Sequence, residues 1–166
     1  MQIVGDELQR LALAERDPIN FDLLGRSAFN RYYYATFLTT RKTLAMMQSN
    51  WKGTPHAEIP NLLKTNLKKK ASIQLKAQVK QGLINSAEQS RIQQSNHALG
   101  CELAELLKFA YDARVLADYE PEIPITRENN VILLKTHKIT TAKEWPNRAD
   151  TLCKQLLKHW RRIGLA

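Results

Sequence analysis

Apolar residues recur at steps of three and four along most of the chain, the spacing that places them on one face of an α-helix. Five segments with this spacing follow one another, and the small residues Ala110, Ala113 and Ala117 continue the apolar stripe of the fourth. The predicted helices cover residues 5–14, 20–48, 57–67, 98–119 and 141 to the last few residues. The pattern therefore predicts an all-α bundle of four or five helices.

Residues that stop or start helices set these boundaries. Asp17-Pro18 ends the first helix, and Asn20 or Asp22 is predicted to cap the second. Residues 120–124 contain two prolines and end the fourth helix, whereas Thr141-x-x-Glu144 is a capping box for the last. Residues 68–90 are polar and lysine-rich, and we expect them to be helical only in part. The chain is predicted to be one domain, 1–166, in which 120–166 form a loop, with the apolar run 131–134, and the C-terminal helix.

Composition narrows the class of protein. Hydrophobic residues make up 43% and charged residues 25% of the 166 residues, which is typical of a globular domain. No apolar stretch reaches the length of about 20 residues that spans a bilayer, and Asp6 and Glu7 stand where a signal peptide would be basic and then apolar. Cys101 and Cys153 form no CxxC motif. We predict a reduced, cytoplasmic protein with no membrane contact.

No signature of a metal or cofactor site occurs. The sequence has no P-loop, no GxGxxG, no HExxH and no GxSxG motif. Of the four histidines only His97 has a ligand-type residue four positions away, Cys101, whereas a zinc site needs three or four converging ligands. We therefore expect neither a metal ion nor an organic cofactor.

Basic residues are concentrated in two segments. The chain has 25 Lys and Arg against 16 Asp and Glu, a net charge of +9. Residues 64–80 hold six lysines and no acid, and we take Lys68, Lys69 and Lys70 as candidate phosphate-binding residues. From residue 135 onward eight basic residues face two acidic ones. Such surfaces predict a polyanion partner, most simply RNA or another nucleic acid. The alternative is an ordinary solvated helix face.

The second predicted helix carries three consecutive tyrosines after an arginine, in the sequence Arg31-Tyr-Tyr-Tyr-Ala-Thr-Phe37. Consecutive residues of a helix point about 100° apart, so the three rings cannot all face one core. At least one phenol must reach solvent, another helix or a ligand. Arg31, Tyr33 and Tyr34 are therefore candidate nucleic-acid-binding residues, and the alternative is that the rings pack while their hydroxyls bond at the rim.

The fourth predicted helix ends in Arg114-Val-Leu-Ala-Asp118-Tyr119. Arg114 and Asp118 are four residues apart, so they lie on one face of the helix and can form an ion pair. On an open surface that pair contributes only about 0.3–0.5 kcal/mol. Beside the small residues of the apolar stripe, the same guanidinium would be partly buried and could bind a phosphate with two parallel hydrogen bonds.

These two motifs, R-x-Y-Y-A-x-F followed by R-x-x-A-D-Y, resemble the HEPN superfamily of α-helical domains over residues 22–119. The resemblance implies an up-and-down bundle that is commonly a homodimer. It also implies metal-independent ribonucleases that act as toxins or as effectors of antiviral and CRISPR-linked defence. Other relatives bind nucleotides or pair with a nucleotidyltransferase antitoxin. In toxin members that partner can modify a tyrosine with AMP, and Tyr119 matches this tyrosine.

The chain departs from the catalytic HEPN pattern at one position. Catalytic members carry Arg, four to six residues and then His on the fourth helix, and that His can move protons while the ribose 2′-OH attacks phosphorus. Here Asp118 follows Arg114, and no histidine occurs within six residues. His56, in the turn after the second helix, or His97, in Arg91-x5-His97 ahead of the fourth, would have to supply the imidazole.

We therefore predict an RNA-directed protein, first as a metal-independent endoribonuclease with Arg114, Asp118, His56 and His97 as candidate catalytic residues. The alternative is a non-catalytic HEPN module that binds nucleic acid or nucleotides and regulates a nucleotidyltransferase or a defence complex. A third hypothesis is a plain structural bundle with solubilising basic faces. The first two depend on Arg114 facing a cleft between helices, beside the tyrosines.

Overall fold

The computed structural model describes residues Met1 to Leu165 and is predominantly α-helical, which confirms the predicted fold class and is compatible with a helical bundle. No helix within residues 1–165 is long and apolar enough to cross a membrane. Short 3₁₀ turns cover Ser49–Trp51 and His56–Glu58, and a π-helical turn covers Leu62–Asn66. The α-helices are α1 (Gln2–Ala14), α2 (Pro18–Met47), α3 (Ile59–Asn61), α4 (Leu67–Lys80), α5 (Ser86–Tyr119) and α6 (Ile139–Arg162).

The chain forms two compact units, and α2, α5 and α6 each contribute to both. The first unit comprises Met1–Leu38 and Leu107–Arg148. The second comprises Thr39–Leu106 and the described residues from Ala149 onward. Residues distant in sequence thus meet within each unit, which decides the side chains that can share a site.

In the first unit, α1 packs closely on α2 at a glycine. A Cβ atom on Gly5 would lie 2.8 Å from Cε1 of the Tyr32 ring, so only glycine allows this approach. The Tyr32 ring is fully buried, and its hydroxyl lies 2.9 Å from Asp6 Oδ1 and 2.8 Å from Gln9 Oε1. These contacts hold the first of the three consecutive tyrosines in the core.

Arg26 joins the C-terminal end of α5 to α2. Its guanidinium pairs with Asp22 at 2.5 Å and donates to five main-chain carbonyls between residues 116 and 123. The last carbonyls of a helix have no partner within the helix, so Arg26 satisfies groups that would otherwise be unpaired. Because this arginine is 8% exposed and its donors are occupied, it is a structural residue.

The N-terminal cap of α2 is neither of the two predicted residues. The Asn20 N–H donates to Asp17 Oδ1 at 2.8 Å, so Asp17 caps the helix, and Pro18 occupies its first position. Asp22 lies inside α2, where its other oxygen accepts a hydrogen bond from the Ile125 N–H at 2.9 Å. The Asp17-Pro18 pair, which is predicted to stop α1, therefore begins α2.

The segment predicted as a loop after α5 contains a three-stranded antiparallel sheet in the order β1 (Ile125–Glu128), β2 (Val131–Leu134) and β3 (His137–Lys138). Ile125 pairs with Leu134 and Glu128 with Val131. Asn129 and Asn130 connect β1 to β2 with φ of 48° and 64°, the left-handed conformation of a two-residue hairpin turn. The apolar run 131–134 is therefore a strand.

The second unit has a core formed by tryptophans and leucines. The Trp160 Nε1–H donates to the Met47 carbonyl at 3.0 Å, and its ring lies 5.6 Å from that of Trp51. Gly100 of α5 approaches the π-helical turn so closely that a Cβ atom would lie 2.7 Å from the Leu63 carbonyl oxygen. Leu63 is fully buried, which leaves little room for either segment to move.

Further helix boundaries also differ from the predictions. Residues 67–80 form a continuous helix, because Leu67, Ala71 and Leu75 supply a buried face among the lysines. α5 begins at Ser86, so residues 91–97 are helical and not ahead of the helix. α6 begins at Ile139, before the predicted capping box, and Pro146 is its eighth residue. Since proline has no N–H, the Ala142 carbonyl lacks its helical donor at that point.

Candidate functional site

Arg114 and Asp118 form an ion pair on α5 in the first unit, as their spacing predicts. Arg114 Nε lies 2.8 Å from Asp118 Oδ2, and the two side chains are 17% and 26% exposed. The other Asp118 oxygen accepts a hydrogen bond from Asn30 Nδ2 of α2. The carboxylate thus has a partner on each side, which fixes its position relative to the guanidinium. Asn30 was not predicted as a site residue.

Tyrosines from both helices surround this pair. The Arg114 guanidinium carbon lies 4.9 Å from the Tyr119 ring centroid and 6.0 Å from that of Tyr111, and Nη2 donates to the Tyr119 hydroxyl at 3.2 Å. The Tyr33 ring lies 5.9 Å from Tyr111 and 5.3 Å from Tyr34. These residues form the tyrosine cluster: Tyr33, Tyr34, Tyr111 and Tyr119. Arg114 contacts the two members of the cluster on α5, Tyr111 and Tyr119, and the Tyr33 ring of α2 packs on Tyr111.

The members of the tyrosine cluster differ in exposure. Tyr33 is buried, and burial raises the pKa of its phenol, although the nearby Arg114 charge acts in the opposite direction. Tyr34 is half-buried, and the Arg31 guanidinium lies 5.8 Å from its ring centroid. Tyr119 is 63% exposed. Tyr34 and Tyr119 therefore present ring surface to a ligand, whereas Tyr33 belongs to the core.

Hydrogen bonding at Arg114 is incomplete. Its Nε is buried and close to Asp118, but the Nε–H is not aligned for a hydrogen bond. Within residues 1–165, the one aligned hydrogen bond of this guanidinium is the one that Nη2 donates to Tyr119. Burial acts to lower the pKa of Arg114, but Tyr119 and Asp118 outweigh it and raise that pKa. Asn30 Oδ1 is also buried without a partner. Unlike Arg26, this charged group retains donors for a ligand.

The predicted histidines do not accompany Arg114. His56 lies half-buried in a 3₁₀ turn, and His97 lies on α5; both belong to the second unit. The first unit contains His137 alone, a buried residue whose ring centroid is 4.6 Å from that of Phe109. The contacts of Arg114 within residues 1–165 therefore include no imidazole.

His97 instead shares a cleft of the second unit with Lys68. The cleft measures about 270 Å³ and is completed by Ser90, Gln93 and Gln94. Of the other two predicted lysines, Lys69 is exposed and Lys70 donates to Gln48 Oε1 at 2.8 Å. Consecutive side chains of a helix diverge by about 100°, so the three lysines leave α4 in different directions.

Arg91 and His97 line different cavities, although their spacing matches the catalytic pattern. Six residues of helix amount to a rotation of about 240°, so the two side chains leave α5 in different directions. Arg91 lines a separate cavity with Ser95, His159 and Arg162. His159 is more than sixty residues from Arg91 in the chain, so no local motif indicated this grouping.

No protein-family model, curated protein or solved structure matches the chain. Among residues 1–165, no group of three or more His, Cys, Asp and Glu could hold a metal ion. The relationship to the HEPN superfamily thus stays a prediction from the two motifs. Conclusions about function depend on the geometry of the side chains described above.

Proposed function

We propose that the protein is an RNA-directed, HEPN-like helical protein in which Arg114 binds a phosphate group of the RNA. The observation that carries the proposal is the incompletely bonded guanidinium of Arg114, paired with Asp118 and packed against the Tyr111 and Tyr119 rings. Between the two HEPN hypotheses, this geometry favours binding over catalysis, because the contacts of Arg114 include no histidine.

The surroundings of Arg114 suit single-stranded RNA. Bases stack on aromatic rings with about 1–3 kcal/mol per base and little dependence on sequence. Tyr119 offers an exposed ring, and Tyr34 a half-exposed one beside Arg31. An arginine next to such rings can bind the phosphate while a neighbouring base stacks. Lys68 and Lys69, both exposed in the second unit, add positive charge for a polyanion.

RNA binding should decrease sharply when Arg114 is removed. A charge-assisted hydrogen bond contributes about 1.5–3 kcal/mol, so Arg114→Ala should weaken binding about 10- to 100-fold. Arg114→Lys keeps the charge but loses the planar guanidinium, and it should restore only part of the affinity. Fluorescence anisotropy with a labelled single-stranded RNA measures these effects.

The matched control is Arg16→Ala, which removes an equally charged but exposed residue of the first unit. It should change the affinity by less than about twofold, as a distant surface charge does. Circular dichroism establishes that each variant is folded. A folded Arg114→Ala protein that binds RNA as tightly as the parent, or a parent that binds no RNA at low salt, would contradict the proposal.

The second candidate function is metal-independent RNA cleavage, and the cleft of His97 and Lys68 favours it. The His97 imidazole would take the proton of a ribose 2′-OH as that oxygen attacks the adjacent phosphorus. The 5′-oxygen of the next nucleotide leaves and takes up a proton, which gives a 2′,3′-cyclic phosphate and a 5′-hydroxyl end. Lys68 would stabilise the charge that develops on the phosphoryl oxygens.

Cleavage is tested by incubating the purified protein with RNA in the presence of EDTA. His97→Ala should reduce the rate by about 100-fold or more, the contribution of a general base. His56→Ala is the matched comparison: loss of activity in that variant instead would make His56 the proton carrier. Absence of RNA products from the parent protein would exclude catalysis and leave the binding proposal intact.

The resemblance also extends to partners, and we propose a homodimer that pairs with a nucleotidyltransferase antitoxin or a defence complex. The Tyr119 hydroxyl would attack the α-phosphorus of ATP on that enzyme, accept AMP and release pyrophosphate. Support comes from the exposed position of Tyr119 at the end of α5. Because this hydroxyl accepts a bond from Arg114, its modification would also occupy the guanidinium. Mass spectrometry should locate the added AMP on Tyr119 and not on Tyr34.

A further inference from the structure

A cavity of about 210 Å³ lies in the second unit between the first turns of α5 and the last turns of α6. Arg91 and Ser95 are four residues apart, and His159 and Arg162 are three residues apart, so each pair lies on one face of its helix. The two faces line the cavity together with the buried Ile92. The walls thus carry cationic and hydroxyl groups around a small apolar surface.

A buried amide fixes the orientation of the His159 imidazole. His159 Nδ1 lies 3.0 Å from Oδ1 of Asn96, a residue that is 1% exposed. An amide oxygen only accepts hydrogen bonds, so Nδ1 carries the hydrogen of this bond. Nε2 is therefore the ring nitrogen left for a ligand, to which it donates when the imidazole is protonated.

The cavity is positively charged, although one of its arginines has an acidic partner. Arg162 Nη2 lies 3.3 Å from Glu88 Oε1, in a pair whose side chains are 60% and 32% exposed. The cavity thus has two guanidinium groups and an imidazole, against one neighbouring carboxylate. Burial lowers the pKa of His159, and the Arg162 and Lys158 charges lower it further, as expected where the local potential is positive.

We propose that this cavity of Arg91, Ser95, His159 and Arg162 is a second phosphate-binding site, which takes the terminal phosphate of a mononucleotide or of an RNA end. Guanidinium groups match the geometry of phosphoryl oxygens, and the Ser95 hydroxyl can donate a further hydrogen bond. A cavity of about 210 Å³ encloses a phosphate group with part of a sugar, so the base lies outside it. The site is independent of Arg114.

Glu88 competes with the ligand. A phosphate bound between Arg91 and Arg162 displaces the Glu88 carboxylate from Arg162, and the cost of breaking that pair reduces the affinity. A partly exposed ion pair of this kind contributes about 0.5–1 kcal/mol. Glu88→Gln should therefore tighten phosphate binding about two- to fivefold. Nonspecific attraction to a basic protein would not depend on this one residue.

Isothermal titration calorimetry with the full chain tests the site, with 5′-AMP, inorganic phosphate and an RNA hexamer bearing hydroxyl ends as probes. We expect binding of 5′-AMP and phosphate, and a loss of about 10-fold or more in Arg91→Ala and Arg162→Ala. Arg161→Ala is the matched control, because Arg161 is an exposed neighbour that does not line the cavity. It should bind as the parent does.

Three results would overturn the proposal. The first is that neither 5′-AMP nor phosphate binds to the folded parent protein. The second is that Arg161→Ala weakens binding as much as Arg162→Ala, which would show a diffuse charge effect. The third is that the hydroxyl-ended hexamer alone binds and depends on Arg91, which would make the cavity a contact for the RNA chain and not for a terminal phosphate. None of the residues changed in this experiment is Arg114, so its outcome is distinguishable from that of the Arg114 variants.

Discussion

At the scale of single residues, the three arginines Arg26, Arg114 and Arg91 have different roles because their donors are used differently. The Arg26 guanidinium is bonded to Asp22 and to five main-chain carbonyls, so it stabilises the end of α5. Arg114 has a carboxylate partner and one aligned bond, which leaves donors for an anion. Arg91 is exposed and lines a cavity. Burial and hydrogen bonding, not residue type, separate a structural arginine from one whose donors remain for a ligand.

The buried His137 and the half-buried His159 should make the free energy of unfolding depend on pH. Burial lowers the pKa of both His137 and His159 below the ordinary value of 6.5. Below about pH 6.5 the unfolded chain therefore binds more protons than the folded chain. The free energy of unfolding is thus higher above that pH and decreases as the pH falls towards the lowered pKa values of the two histidines. Urea unfolding at about pH 7.5 and pH 5.5 should show this decrease.

The variants His137→Gln and His159→Gln separate the two contributions. Each should reduce the difference in unfolding free energy between the two pH values, and the double variant should reduce it most, because glutamine does not titrate. A double variant that retains the full pH dependence would assign the effect to other groups.

At the scale of elements, α5 shows how much the sequence predicts. The apolar stripe predicts the C-terminal two thirds of α5 and its end at Tyr119, because a buried helix face imposes a regular spacing of apolar residues. The first turns, residues 86–97, carry few apolar side chains, so the periodicity was too weak to extend the helix. The sheet after α5 is not predicted for another reason. Asn129-Asn130 is a pair typical of hairpin turns, but the strands on either side are too short to show a clear alternation of apolar and polar residues.

Gly100 should be required for the packing of α5 against the π-helical turn. A methyl group at this position would lie 2.7 Å from a buried backbone oxygen that cannot move aside cheaply. Gly100→Ala should therefore lower the free energy of unfolding by about 1–3 kcal/mol, despite the better helix propensity of alanine. Urea denaturation monitored by circular dichroism measures the change.

Gly53→Ala is the matched control for Gly100→Ala, because nothing lies within 4 Å of a Cβ atom there. That change should alter the free energy of unfolding by less than about 1 kcal/mol. Equal effects of the two substitutions would show that the contact with Leu63 is unimportant.

At the scale of the whole molecule, the net charge of +9 favours a polyanion partner but does not specify it. Basic side chains occur in both units, from Arg31 and Arg114 in the first to Lys68, Arg91 and Arg162 in the second. Ion pairs such as that of Lys64 with Glu105 leave this net charge unchanged, because it already counts both groups. The excess of basic over acidic side chains therefore remains for a partner.

Binding to RNA should depend strongly on salt. Each phosphate neutralised by a basic side chain releases counterions, and for single strands the slope of log K against log salt is about −0.7 per phosphate. If three or more basic residues contact the strand, the slope should be about −2 or steeper. Anisotropy titrations at several salt concentrations measure it, and a slope near zero would support the third hypothesis, a plain structural bundle.

The sequence by itself determined the helical class, the basic balance and the pairing of Arg114 with Asp118, because each is set by spacing or composition along a single segment. Tertiary structure decided which polar groups come together: Asn30 contacts Asp118, Arg26 contacts the end of α5, and Arg91 lines one cavity with His159 and Arg162. Those contacts join residues more than sixty positions apart. Only the packing of one helix on another brings such residues together, and no local pattern of side chains encodes that packing.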